Sequence, residues 1–542
     1  MKIGIDFDNT IAKYDKLFLD IALSKGLIDE TSDCYDKITL RDYLRQQPDG
    51  ERSWMRLQGL VYGQYMYAAQ LMPGFARFMM KCKERRHHVF VVSHKTEFGH
   101  FDSNNISLRK EAMKWMTNKG FFTSDVFGLK KTDVFFADNR DDKVTKIAEL
   151  QCDYFIDDLP EVFSNHKFPA NTRKILFSNN HRLITDYRVD DWDGIDDHIC
   201  GGTSSADISM WFTMLTVLGV DRVDEVPRGG NSNIYKIHAS DGNIYAAKVY
   251  PYRSVNIESR LTIEYRATEF LRSNGLDNIP DTITSDEDLG LGIYSWVNGE
   301  SIEKVNLQDV EQIISFVKKL QHISQSSQYE YDGTAAEACL SAKDLVKQVD
   351  KRLDNLLRVA IDYSALKIFL TELFVPIWHK LKEQSIESWP HSSRYVELKR
   401  DYQILSPSDF GFHNTLRYRG KLHFLDFEYF GWDDPVKLTA DFLWHPAMSL
   451  RDSDMKHWEE SMLKIFSSDV DFETRLNIAK PLFGMRWAMI VLNKFLLGST
   501  NSGNTDLNIN VCCDTDVLDD QLNKAKTLCD KVIKCCPQVA VV

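Results

Sequence analysis

The 542-residue sequence has no uninterrupted apolar run of about 18 residues, the length a membrane-crossing helix needs, so no membrane span is expected. It has no excess of positive charge. The formal net charge of -13 argues against a nucleic-acid or anionic-membrane partner, since either needs a basic face. It has no targeting pattern at its start, because Asp6 and Asp8 interrupt the first apolar residues too early. It has no CxxC spacing. The ten cysteines are scattered apart from Cys512-Cys513 and Cys535-Cys536, which predicts free thiols in a cytoplasmic protein rather than a zinc site. No segment repeats another. Aromatics are plentiful (31 Phe, 21 Tyr, 11 Trp), which argues against extensive disorder. The chain is too long for one ordinary hydrophobic core, so two or more domains are expected.

Residues 1–185 alternate short apolar runs with amphipathic stretches, the texture of a parallel α/β sheet. The spacing predicts strands at 2–7, 88–93, 134–137 and 154–156, each ending in a polar or acidic cluster. Ligands of such sheets bind beyond the carboxyl ends of the strands, so the chemistry is sought there. Residues 12–71 are rich in helix formers and read as a small helical cap. The strand ends carry Asp6 and Asp8, then Ser93, then Asp157 and Asp158, while Lys143 opens a helical stretch. Phosphate-ester cleavage needs a nucleophile, an acid for the leaving oxygen, and cations to offset charge. Carboxylates from two strand ends can share a Mg²⁺, a hard cation that prefers oxygen, and a lysine with a hydroxyl completes the cradle. Lys95, Lys130 and Lys131 rival Lys143 but read as surface charges; Asp138, Asp141 and Asp142 read as surface or site-mouth residues.

The run Asp6-Phe7-Asp8-Asn9-Thr10 matches the signature DxDx[TV], and the later motifs follow in order, so residues 1–185 resemble the haloacid dehalogenase-like phosphatases. The resemblance implies a Rossmann-like α/β fold whose cap sets substrate choice. It implies Asp6 as nucleophile forming an aspartyl-phosphate and Asp8 as general acid/base. Thr10, Ser93 and Lys143 would hold the phosphoryl group, with Asp6, Asp8, Asp157 and Asp158 at the metal.

After Asp186 the texture changes. An acidic run over 190–197 and the small residues 201–205 predict a linker and helix over 186–220. Residues 221–296 read as strands around one helix, and the chain to residue 500 as mainly helical, with a helix over 305–324; 501–542 read as a loop and helix. Gly229, Gly230, Asn231 and Ser232 form a small-residue turn that lets backbone amides approach a polyphosphate, although the same pattern describes an ordinary hairpin loop. Lys248 lies on a predicted strand and Glu264 follows on a helix, with Glu258 as an alternative partner. A strand lysine held by a helix glutamate is how kinase-like folds fix a cation on nucleotide phosphates. Asp409 can orient an acceptor hydroxyl and take its proton, while Asn414 and Asp426 can hold Mg²⁺ against ATP.

Residues 215–500 resemble the aminoglycoside/choline-type phosphotransferases on these motifs and on the GGxSNxY pattern of 229–235. The resemblance implies a bilobal α+β protein-kinase-like fold over 221–500. ATP would be bound by Gly229, Gly230, Asn231, Ser232, Lys248 and Glu264, with Asp409 as base and Asn414 and Asp426 as metal ligands. It suggests an adenine-side hinge over 294–299, and Glu428 and Asp434 on the metal or substrate side. One departure is Pro407-Ser408, where the family usually has His-Gly. His413 reads as structural or solvent-facing, and Trp444, His445 and Trp487 as shaping the acceptor pocket. The expected function is a bifunctional phosphatase and kinase using Mg²⁺ and ATP on different positions of a small metabolite, as in sugar or surface-polysaccharide precursor metabolism. Aminoalcohol phosphorylation is the alternative, as is a regulatory protein with one inactive domain. A protein kinase is disfavoured because no activation-loop pattern follows Asp426.

Overall fold

The computed structural model describes residues 1–29, 31–101, 105–178, 187–227, 232–251, 259–326, 331–448, 450–498 and 515–537. It is a mixed α/β structure with one parallel and one antiparallel sheet as its largest sheets. The parallel sheet contains β1 (Lys2–Ile5), β2 (His88–His94), β3 (Val134–Ala137), β4 (Tyr154–Asp157), β5 (Arg173–Phe177) and β6 (Arg188–Val189). Their order is β3-β2-β1-β4-β5-β6, and every neighbouring pair is parallel. Ile3 and Ile5 of β1 and Val91 and Val92 of β2 are buried, as expected of strands covered on both faces. Because the strands share one direction, Asp6, Ser93 and Asp157 arrive at a common edge.

Two further devices shape that edge. Helix α2 (Arg140–Leu150) follows β3 and starts under an N-cap, the Asn139 side chain accepting the Asp142 N–H, which sets Lys143 in its first turn. The insert is pinched at its base by the antiparallel pair Ala12–Lys13 and Gln70–Leu71. It holds the helices Asp15–Ser24, Lys37–Arg45 and Gly50–Tyr62, the first and third tied by Phe18 stacked on Trp54 at 5.1 Å and Tyr14 edge-on to Tyr62 at 4.9 Å.

The predicted linker is a packed joint. Helix α1 (Phe75–Glu84) of the first sheet region faces α3 (Trp192–Cys200), and α4 (Ser205–Thr216) follows. Trp192, Ile195, Ile208, Trp211 and Phe212 are fully buried and belong to one apolar cluster that reaches both large sheets. Acids of this region cap its helices: Asp191 caps α3 through the Gly194 N–H, and Asp207 forms a capping box with Ser204 ahead of α4.

The antiparallel sheet contains β7 (Val220–Glu225), β8 (Asn233–Ala239), β9 (Ile244–Val249), β10 (Thr282–Asp286) and β11 (Leu291–Ser295), in the order β10-β11-β9-β8-β7. Helix α5 (Arg260–Ser273), capped by Ser259, packs on it. The helical region beyond holds two small ladders, Ile404–Ser406 with Gly431–Asp433 and Thr415–Tyr418 with Lys421–Phe424, which carry the loops bearing Asp409 and Asp426. Phe316 stacks on Phe424 at 3.9 Å and anchors the second ladder to the helix Leu307–Gln325. No helix among the described residues is long and apolar enough to cross a membrane. The eight described cysteines are free thiols; Cys512, Cys513 and the loop at 500–506 lie outside the described residues.

Candidate active sites

The first site stands on the ends of β1 and β4. The Asp6 N–H bonds the Ile156 carbonyl at 2.9 Å, which locks the end of β1 to its neighbour. Lys143 Nζ lies 2.6 Å from Asp6 Oδ1 and 2.6 Å from Asp157 Oδ2, and all three groups are buried. Asn9, in the left-handed region (φ 61°) that Asn tolerates, donates to Asp158 Oδ2 at 3.2 Å. Oxygens of Asp6, Asp157 and Asp158 lie within 4.8 Å of one another. Burial, with the nearby Asp6 carboxylate, pushes Asp158 up to about 8 and Asp157 up to about 6, although Lys143 pulls Asp157 back. Burial opposes the charge on Lys143, but Asp157 and Asp6 outweigh it and raise its pKa. One lysine does not neutralise this many crowded acids, and an all-oxygen donor set fits Mg²⁺. The Thr10 hydroxyl is buried with no hydrogen-bond partner among the described residues, and Ser93 is buried in β2.

Asp8 is held differently from Asp6. Lys95 Nζ donates to both its oxygens at 2.9 Å, and the Tyr14 hydroxyl donates to Oδ1 at 2.6 Å. Lys95, expected at the surface, is 3% exposed; Lys130 and Lys131 are exposed as expected. Its N–H continues the ladder to Ala137, so Lys95 and Ser93, two apart on an extended chain, share a face. That alternation was the available signal. The insert contributes Lys37, whose Nζ donates to Asn9 Oδ1 at 3.1 Å and to the Tyr62 hydroxyl at 2.9 Å. Asp138, Asp141 and Asp142 are exposed and take local partners: Arg109, Lys167 and Asn139.

The second site joins the antiparallel sheet to the helical region. Lys248 Nζ lies 2.6 Å from Glu264 Oε2, 2.7 Å from Asp426 Oδ1 and 3.5 Å from Glu428 Oε2. Burial opposes the charge on this lysine, but the three carboxylates raise it well above its ordinary value. Burial pushes Glu264 up, against the pull of Lys248. Arg260 reaches Glu428 Oε1 at 3.2 Å, and Ser232 donates to Glu428 Oε2 at 3.4 Å. Oxygens of Glu264, Asp426 and Glu428 again lie within 4.8 Å of one another, a second oxygen set that suits a hard cation. Gly229, Gly230, Asn231 and Glu258 lie outside the described residues.

Asn414 donates to the Asp409 carbonyl at 3.0 Å and accepts, at its own carbonyl, the Leu425 N–H at 2.9 Å, so the loops of Asp409 and Asp426 run side by side. Ser408 and Asp426 both have positive φ (66° and 67°), strain of the kind that surrounding structure must hold in place. At Ser408 that support comes from buried Lys437, which donates to its hydroxyl at 2.8 Å, and from the Ala336 carbonyl, which accepts it at 3.1 Å. Where the expected histidine is missing, a buried lysine grips the loop.

His413 is exposed, as expected, but it is not remote from the site. Its Nε2 lies 3.0 Å from Asp409 Oδ1, and its ring stacks on His445 at 3.9 Å. Burial would raise Asp409, but the His413 hydrogen bond and the two imidazoles hold it below its ordinary value. Burial and His413 press His445 down to about 4. Trp487 meets His445 edge-on at 4.5 Å. Asp434 does not face the site: it caps α6 (Pro435–Trp444) and pairs with the buried Arg475 at 3.0 Å.

No family model matches this chain, and no curated protein does. Solved structures do resemble it. One is spectinomycin phosphotransferase in complex with ADP and spectinomycin, 11% identical with a TM-score of 0.43, covering 61% of this chain and 98% of that one. Another is choline kinase from Cryptosporidium parvum Iowa II, at 10% and 0.40, covering 59% and 89%. A third is an ethanolamine kinase of Plasmodium vivax, at 12% and 0.40, covering 62% and 90%. These likenesses are loose, with each TM-score below 0.5.

Proposed function

We propose that residues 221–500 transfer the γ-phosphoryl group of ATP to a hydroxyl of a small metabolite, as the aminoglycoside/choline-type phosphotransferases do. The observation that carries this is Lys248, held between Glu264 and Asp426, with the loop of the ionised Asp409 running beside that of Asp426. Asp409 takes the acceptor proton as the hydroxyl oxygen bonds to phosphorus and the bond to the ADP oxygen breaks. Lys248 offsets the phosphate charge, and His413 keeps Asp409 oriented. Mg²⁺ held by Asp426 with Glu428 or Asn414 supplies further charge neutralisation when bound.

A second activity is favoured by the joint placement of Asp6, Lys143, Asp157 and Asp158. Residues 1–185 act as a phosphomonoesterase of the haloacid dehalogenase type, in which Asp6, Asp157 and Asp158 would hold a Mg²⁺ that offsets charge on the ester when bound. Asp6 attacks phosphorus as the ester P–O bond breaks and Asp8, positioned by Lys95 and Tyr14, protonates the leaving oxygen; Asp8 then takes a proton from the water that cleaves the aspartyl-phosphate and releases inorganic phosphate. The metabolite is a carbohydrate or, as the rival, an aminoalcohol, with the two sites addressing different positions. The test supplies sugars, sugar phosphates and aminoalcohols with Mg²⁺, following ADP and phosphate separately. Asp409→Asn should abolish acceptor-dependent ADP formation and spare phosphate release; Asp6→Asn should do the reverse. Loss of both activities from either change would sink the two-site reading.

A further inference from the structure

The two halves meet on one helix face. Arg77, Lys81 and Arg85 recur every fourth position along α1, so they form a single cationic row. Each finds an acid of the joint: Arg77 lies 3.4 Å from Asp193, Lys81 pairs with Asp196, and Arg85 lies 3.4 Å from Asp207. Arg77 and Lys81, Asp196 and Asp207 are all buried. Arg77 goes one step further, its Nη2 donating to the Tyr250 carbonyl at 2.7 Å.

Tyr250 follows β9 two residues after Lys248, so on extended chain the two side chains leave the same face. They meet on one atom. Glu264 Oε2 accepts the Tyr250 hydroxyl at 2.7 Å and the Lys248 ammonium at 2.6 Å. The Tyr250 backbone is held on the sheet side by its N–H to the Gly290 carbonyl at 2.9 Å, and on the other side by Arg77. We infer that Arg77 of the N-terminal region is a positioning residue for the ATP-binding lysine, acting through Tyr250 on the Lys248–Glu264 pair. Phosphoryl transfer in the second site thus depends on a residue that belongs to the first, and the chain works as one unit rather than as two tethered enzymes. The inference rests on the transfer activity proposed above.

The experiment uses the full chain with its best acceptor. Arg77→Met, which keeps the side-chain length and removes the guanidinium, should lower kcat/KM for ATP by about tenfold while phosphate release at the first site persists. Arg77→Lys should restore part of the loss. Tyr250→Phe, which leaves the joint intact, should give a loss of similar size, and the double variant should lose less than the product of the singles. A wild-type kcat/KM for ATP in Arg77→Met, or in Tyr250→Phe should Arg77→Met not fold, overturns the inference, as do losses that multiply fully. Asp409→Asn remaining active would instead overturn the transfer reading beneath it.

Discussion

The two sites place a lysine among carboxylates by opposite routes. In the first, Asp6 and Asp157 end adjacent parallel strands, so their separation follows from the strand spacing, and Lys143 enters from a capped helix. In the second, Lys248 comes from a sheet, Glu264 from a helix and Asp426 from a loop of the helical region. There the spacing depends on how two bodies pack. The first lysine is sealed between its acids, whereas the second has Arg260 nearby on Glu428, and Asp426 is a third exposed.

Removing each lysine tests that contrast most strongly. Lys143→Met leaves Asp6 and Asp157 buried without their cation, and breaking a buried pair costs about 3–5 kcal/mol. Lys248→Met abandons a site that water and Arg260 partly serve, so its loss of stability should be smaller. Denaturant unfolding in EDTA reads both, and equal losses would break the contrast. Next in size is Lys95→Met, which frees Asp8 of its ammonium. Phosphate release should fall by about tenfold or more, the scale of a positioned proton-transfer group, with ATP-dependent transfer unchanged. Unaltered release would return Lys95 to a structural role.

A third expectation concerns pH. Asp158 at about 8 and Asp157 at about 6 lie above the ordinary carboxyl value, so between roughly pH 4 and 8 the native state binds more protons than the unfolded chain. The stability these groups contribute is full below the ordinary value and lost as pH rises through their native values. In EDTA the Tm should therefore fall from pH 5.5 to 8.5, and Asp158→Asn should flatten that slope. Mg²⁺ binds the ionised acids, so the Tm it adds should be larger at pH 8.5. A larger gain at pH 5.5 would contradict the metal assignment to this cluster.

Legibility differed between the regions for physical reasons. Asp6, Ser93 and Asp157 were readable because each ends a short apolar run and parallel strands finish at one edge; Lys143 stood at the mouth of a helix. Charge alone puts Lys95 at the surface, whereas strand alternation places it beside the buried Ser93. At the joint, the acids over 190–197 mark a change of texture in the sequence, but their cations, Arg77 and Lys81, sit more than a hundred residues earlier. Lys437 and the stack of His445 on His413 were beyond local pattern, since neither contact exists until the helix Pro435–Trp444 packs under the loop. Local periodicity reveals elements and their ends, but not which distant partner neutralises a buried charge.

The smallest expected effect divides the joint itself. Trp192 and Asp193 are neighbours on α3, yet they serve different sites: the Trp192 indole donates to the Thr10 carbonyl at 2.9 Å, while Asp193 pairs with Arg77, which holds Tyr250. Trp192→Phe keeps an aromatic ring against Phe75 and Phe78, each at 5.0 Å, but removes that donor from a buried carbonyl. The cost should be about 1–3 kcal/mol. Because Thr10 belongs to the turn that follows Asp6 and Asp8, phosphate release should fall a few-fold. ATP-dependent transfer should hold, since Asp193, Arg77 and Tyr250 are untouched. A parallel fall in transfer would show that α3 moves as one body and passes any disturbance to both sites, in which case the separate lines of support through Trp192 and Arg77 collapse into a single hinge.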